Sequence, residues 1–164
     1  MTELFDHIKG CPLFRGLTNK EKDLLAISFS LKKVPEGKVV YLENMPGESL
    51  YIIRSGSVKV SRALGDGKEK TLALLGPEDM FGELALLDGG TRAVTICVLE
   101  DAELLSLAKQ DFERFCDRHP KTAVKLLKNI LLAFAQKSRE TRLEDNLFLR
   151  WCFGEDGSDG GKLS

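Results

Sequence analysis

Between Phe81 and Thr95 the chain reads Phe-Gly-Glu-Leu-Ala-Leu-Leu-Asp-Gly-Gly-Thr-Arg-Ala-Val-Thr, and its chemistry-bearing residues concentrate there. Gly82 permits a backbone turn that a residue with a Cβ resists. Glu83 to Leu86 can then form one helical turn whose leading N–H groups lack partners within the helix, an end that attracts anions. Arg92 adds a planar, permanently charged fork suited to phosphate oxygens. Glu83 adds a carboxylate that accepts hydrogen bonds from a sugar hydroxyl. A phosphate and a sugar together specify a nucleotide. The competing reading is a surface loop in which Glu83 and Arg92 merely pair in solvent, worth about 0 to 1 kcal/mol.

These residues need a scaffold, and the flanking pattern describes one. From Lys32 to about Leu107 the apolar runs are short: Val39 to Leu42, Leu50 to Arg54, Val58 to Ser61, Thr71 to Leu75, Ala93 to Leu99 and Ala102 to Leu107. Glycines such as Gly37, Gly47, Gly56 and Gly76 punctuate them, which predicts a β-sandwich or jelly roll. Val58 and Val60 alternate with Ser57, Lys59 and Ser61, so one strand face is buried and the other wet. Asp66-Gly67 signals a hairpin.

Upstream, Leu4, Phe5, Ile8, Leu13 and Phe14 predict a short amphipathic helix and a tight turn at Gly10 and Pro12. Thr18 and Glu21 form a capping-box pattern opening a second helix that buries Leu24, Leu25 and Phe29. Downstream, Phe112, Phe115 and Cys116 return to helical spacing, and Pro120 stands where a new helix begins. Along that long helix Val124, Leu127, Leu131, Phe134, Ser138 and Thr141 recur at three- and four-residue steps, with Ala123, Leu126, Ile130 and Ala133 alongside. Either the helix packs one edge on its own domain and offers residues 120–142 to a second copy, or it folds wholly against its own barrel.

The 164 residues, 43% apolar and 30% charged, fit one domain plus a long helix. A net charge of -1 shows no basic excess for gripping a phosphate backbone, so direct DNA binding is not expected. No apolar run approaches the ~20 residues of a membrane span. Met1 to Gly10 carries Glu3 and Asp6 where a signal peptide needs a basic and then apolar start, which implies a cytoplasmic location. Cys11, Cys97, Cys116 and Cys152 are scattered, fitting reduced thiols rather than a disulfide frame or zinc site. His7 and His119 both lie outside the strand runs, which argues against the histidine-rich metal sites of jelly-roll oxygenases and isomerases and against a haem ligand. A non-enzymatic, metal-free binding protein is the class left.

Phe81-Gly82-Glu83-Leu84-Ala85-Leu86 followed by Thr91-Arg92-Ala93 resembles the phosphate-binding cassette of the cyclic nucleotide-binding domain. That module is shared by Crp/Fnr regulators, protein kinase regulatory subunits and cyclic-nucleotide-gated channels. Phe14 to Thr18 resembles the family's helical entry, and the likeness extends to Leu149. It implies a fold that is mainly β with flanking helices, a cupin-like double-stranded β-helix followed by a long helix. By the resemblance Glu83 holds the ribose 2′-hydroxyl, Arg92 holds the cyclic phosphate, and the amides of Leu84, Ala85 and Ala93 complete the cradle that Gly82 opens. Thr91 stands beside Arg92 and could donate its hydroxyl. Val60 and Leu72 fall where apolar side chains floor the purine pocket, or are plain core. Lys137 and Ser138 align with base-contacting positions, or Ser138 is simply exposed near the helix end. Ala93, where many cGMP-binding members have threonine, favours cAMP over cGMP. The single amino-terminal Cys11 departs from the cysteine cluster of Fnr-type regulators, so an iron–sulfur cluster is not expected.

The resulting layout is one domain: a helical segment at 1–30, a jelly roll with its following helix at 31–118 carrying the cassette at 81–95, a long helix at 119–150, and a flexible tail at 151–164. Arg142 to Leu149 resembles the family's hinge toward a DNA-binding domain, but Gly154 to Lys162 is polar and glycine-rich, and a helix-turn-helix is not expected after it. Leu147, Phe148, Leu149, Trp151 and Phe153 are apolar enough to dock on the domain or on a partner. The function implied is a stand-alone cyclic-nucleotide sensor, dimeric through 120–142, that reports to an unknown downstream protein. The rival is an interaction module that keeps the fold without a ligand.

Overall fold

Two long strands carry much of the core, and each has a stretch buried on both faces. The computed structural model describes residues 3–140, with side chains as far as 136. The elements in order are two 3-10 turns (Glu3–Ile8 and Pro12–Phe14), α1 (Asn19–Ala26), β1 (Phe29–Val34), β2 (Val39–Tyr41), β3 (Ser49–Gly65), β4 (Lys68–Leu75), β5 (Met80–Phe81), α2 (Glu83–Asp88), β6 (Thr95–Ala108), α3 (Lys109–Arg118) and α4 (Pro120–Glu140). All strand pairs are antiparallel, in the order β1-β6-β3-β4, with β2 on β6 and β5 on β3. This is the jelly roll that the spacing predicts.

Along β3, Leu50 and Ile52 point into one apolar cluster and Tyr51 and Ile53 into another, and in β6 Leu105 and Leu107 oppose Leu104 in the same way. Successive side chains face opposite sides of a strand, so a strand covered on both sides reads as an unbroken apolar run. The first cluster joins the sheet to the helices through Phe5, Ile8, Leu13, Leu25, Leu86, Phe112, Phe115, Leu126 and Ile130. The second fills the barrel with Val58, Val60, Phe81, Val94, Ile96 and Val98.

Several sequence expectations change. Leu50–Arg54 and Val58–Ser61 belong to one strand, as do Ala93–Leu99 (from Thr95 on) and Ala102–Leu107. The break seen in the first pair is a set of register shifts between Ile53 and Val58. Gly56 sits there at φ 82°, and a Cβ on it would run into the Asp101 carbonyl of β6, so it marks a close approach within the sheet rather than a turn. Phe29 is not on a helix face: α1 ends at Ala26 and Phe29 opens β1 opposite Leu107. Sheet pairing overrides a helical spacing that only three apolar residues supported. The first amphipathic segment forms 3-10 turns rather than an α-helix. Ser61, expected on a wet face, is buried and its Oγ donates to Glu69 Oε2 at 3.2 Å.

Other local signals are realised as written. Thr18 Oγ1 accepts from the Glu21 N–H, and Glu21 accepts from the Thr18 N–H, a complete capping box. Asp66 and Gly67 take φ 55° and 72° between β3 and β4, the two left-handed residues a tight hairpin requires. Pro120 opens α4. That helix buries Ala123, Leu126 and Ile130 on its own domain while Val124, Leu127 and Leu131 remain exposed. The readings made for residues 141–164, and for the side chains of Lys137 and Ser138, lie outside the described residues.

Candidate functional site

The cassette is held open by its neighbours in the chain and closed by a loop far from it. Gly82 takes φ 79° at the start of α2, with no side-chain cap on the helix. A Cβ there would lie 2.7 Å from both the Ser49 carbonyl and Arg92 Nη1, so glycine serves both the left-handed backbone and the space the arginine needs. The return strand is clamped by residues 44–47. Asn44 N–H donates to Arg92 O at 2.7 Å, Arg92 N–H to Met45 O at 2.8 Å, and Gly47 N–H to Gly90 O at 3.1 Å. Thr95 Oγ1 accepts from the Glu43 N–H at 3.0 Å at the end of the same clamp.

Arg92 is only 6% exposed. Its Nη2 donates to the Ser49 carbonyl at 3.0 Å and its Nη1 to the Gly82 carbonyl at 3.5 Å. Its Cζ lies 4.0 Å from the centroid of the Tyr41 ring. The buried Nε has no hydrogen-bond partner, and among the described residues no carboxylate pairs with this guanidinium. With Glu83 in the same pocket but not bridged to it, the guanidinium keeps an unused donor at Nε that an anion can engage. Glu83 is 9% exposed and lines the same pocket as Arg92. Burial holds the Tyr41 phenol well above its ordinary range, so the hydroxyl stays neutral.

Gly82, Glu83, Leu84, Ala85, Thr91, Arg92 and Ala93 line one pocket, with about 400 Å³ of empty space counting the part open to solvent. Those seven sequence-predicted residues are thus brought together. Val60 and Leu72 are not in that wall. Val60 is fully buried and Leu72 partly buried in the adjoining barrel cluster, which also holds Ala93 and Val94. Ser138 belongs to α4, and its side chain lies outside the described residues. Tyr41 and Val94 also line the pocket, and Gly47 and the Ser49 carbonyl hold the arginine. None of these four stands out in the sequence. The available hint is Pro46-Gly47, an ordinary turn signal until the arginine is seen to lie against it.

Among the described residues no group of histidine, cysteine and acidic side chains is arranged to hold a metal ion. Cys11, Cys97 and Cys116 form no disulfide among the described residues. No helix among the described residues is long and apolar enough to cross a membrane.

The cyclic nucleotide-binding domain profile matches residues 31–119, more than half of the chain. Over 140 residues the chain is 39% identical to the cyclic AMP receptor protein of Thermus thermophilus, covering 85% of this chain and 63% of that protein. It therefore spans less than two thirds of that relative's length. Among solved structures, the N-terminal domain of a transcriptional regulator from Streptomyces coelicolor is 30% identical with a TM-score of 0.73, covering 85% of this chain and 99% of that one. The regulatory domain of Toxoplasma gondii PKA, crystallised with cAMP, is 33% identical with a TM-score of 0.59, covering 65% of this chain and 41% of that one. With the jelly roll, the Gly82–Arg92 cassette and a matching profile that runs from Leu31 in β1 to the end of α3, the chain belongs to the cyclic nucleotide-binding domain family.

Proposed function

We propose that this chain is a non-enzymatic cyclic-nucleotide sensor, working in the cytoplasm, that binds cAMP or cGMP in the pocket beneath α2. The observation that carries this is Arg92: a guanidinium 6% exposed, unpaired by any acid among the described residues, with an orphan Nε. A cyclic phosphate supplies the missing anion, and the uncapped first turn of α2 presents the Leu84 and Ala85 amides to it. Glu83, in the same pocket, accepts from the ribose 2′-hydroxyl. Ala93 supplies apolar surface toward the base, and Val60 and Leu72 back it from the adjoining barrel cluster. Ala93, in place of a hydroxyl-bearing residue, favours cAMP. The cAMP-linked names of the Thermus and Toxoplasma relatives support this reading.

The signal leaves through Leu86. This residue of α2 is 1% exposed and packs in the same cluster as Phe112 and Phe115 of α3 and Leu126 and Ile130 of α4. A ligand that draws α2 inward therefore biases the packing of α3 and α4. The exposed stripe Val124, Leu127 and Leu131 then joins a second copy through residues 120–142, and the occupied dimer acts on a downstream protein.

Calorimetry with cAMP and with cGMP tests the binding step. Wild-type protein should release heat on saturable binding, and Arg92→Ala should abolish it while the unliganded protein still melts cooperatively. Wild-type protein that binds neither nucleotide overturns the proposal.

A further inference from the structure

We propose that Tyr41 is a positioning residue of this pocket, holding the Arg92 guanidinium in the plane from which it meets the phosphate. The inference rests on the cyclic-nucleotide reading above.

The two carbonyls that receive Arg92, those of Ser49 and Gly82, engage only Nη2 and Nη1. Two in-plane hydrogen bonds fix the edge of the fork and leave its tilt about that edge free. The face of a ring removes this freedom, because a flat cation lies stably over a flat π-system. Tyr41 presents such a face, its centroid 4.0 Å from Arg92 Cζ, while Tyr51 stands farther off at 5.9 Å.

Tyr41 is itself fixed by the fold. It ends β2, a strand of three residues whose pairing with β6 shifts register between Val39 and Tyr41. Such a shift re-aims the side chain that follows it. The ring then packs beside Phe81 at 5.9 Å and Tyr51 at 6.2 Å, and these two stack on each other at 5.2 Å. Phe81 directly precedes Gly82, so the aromatic group that steadies the arginine also anchors the entry to the cassette. An aliphatic residue at 41 would fill similar space but present no quadrupole to the cation. Tyr41 therefore preorganises the arginine, which reduces the ordering that binding would otherwise require.

The experiment compares wild type, Tyr41→Phe and Tyr41→Leu by calorimetry with cAMP and with its two phosphorothioate diastereomers, each carrying sulfur in place of one exocyclic phosphate oxygen. A correctly tilted arginine discriminates between the diastereomers. Tyr41→Phe keeps the ring face and should bind cAMP within about threefold of wild type, with the same diastereomer preference. Tyr41→Leu should bind cAMP about tenfold more weakly and lose most of that preference, while the melting of the unliganded protein reports on folding separately. Tyr41→Leu binding as wild type does, or more weakly with its preference intact, overturns the positioning role and leaves the nucleotide reading standing. Wild-type protein that binds neither cAMP nor cGMP overturns both.

Discussion

Lys125 Nζ in α4 donates to both carboxylate oxygens of Glu21 in α1, at 2.9 and 3.0 Å. The same carboxylate accepts the Thr122 hydroxyl at 3.1 Å and the Thr18 N–H at 2.8 Å. Four hydrogen bonds from three donors meet at this group, and the three from Thr122 and Lys125 tie the amino-terminal cap to the long helix across about a hundred residues of chain.

That group makes stability depend on pH. The Thr18 N–H first, and then the Lys125 ammonium, hold the Glu21 carboxyl down at about 2 against an ordinary 4.5. The unfolded chain takes up this proton at higher pH than the folded one. The contribution is therefore fully present above pH 4.5 and is lost as pH falls from there toward 2. Lys125 is 42% exposed, so after solvent screening the effect is on the order of 1 kcal/mol. Thermal melts should show wild type more stable than Glu21→Gln at pH 7 and the gap closing below about pH 4; a gap independent of pH would refute the assignment.

Asn129 reinforces the same joint from the next turn of α4. Its Nδ2 donates to the carbonyls of Leu13 and Arg15, both at 2.8 Å, and the residue is 7% exposed. Asn129→Leu leaves both carbonyls without this donor. A loss of about 1 to 3 kcal/mol in denaturant unfolding is expected, with cyclic-nucleotide affinity in the folded protein changed less than threefold or so.

Gly47 makes a prediction that a turn glycine would not. A Cβ there would sit on the Arg92 side chain at Nε and Cζ. Gly47→Ala should therefore displace the guanidinium and weaken cAMP binding by roughly a hundredfold, comparable to losing a charge-assisted contact. The unliganded melting temperature should move far less, because the residue buries no apolar side chain. Unchanged affinity in calorimetry would show that the arginine has room to yield.

The seam of α4 is tested by association state. Val124 and Leu131 are 64% and 65% exposed, at i and i+7 on one face. Sedimentation should find a dimer for wild type and a monomer for Leu131→Asp, whose charge cannot be desolvated in an apolar seam. A monomeric wild type at tens of micromolar, well above the affinity expected of a specific interface, would remove the dimer from the proposal.

Local chemistry was legible in the chain itself. The capping box at Thr18 and Glu21, the Asp66-Gly67 hairpin, the start at Pro120 and the cassette from Gly82 to Arg92 depend on residues within a few positions of each other. Short-range spacing therefore determines them. The apolar runs within β3 and β6 were legible. Their continuity was not, since Gly56 looks like a turn until the Asp101 carbonyl is found against it. Phe29 shows the limit in the other direction, because its partner Leu107 lies far along the chain and pairing with it outweighs a weak helical pattern. The same limit governs the pocket. Glu83 and Arg92 declare themselves by type and spacing, whereas Tyr41, Gly47 and the Ser49 carbonyl reach the arginine only when residues 41–49 fold back on the cassette. Contacts of that separation have no local signature, and only the assembled jelly roll decides which ring, which carbonyl and which glycine surround the charge.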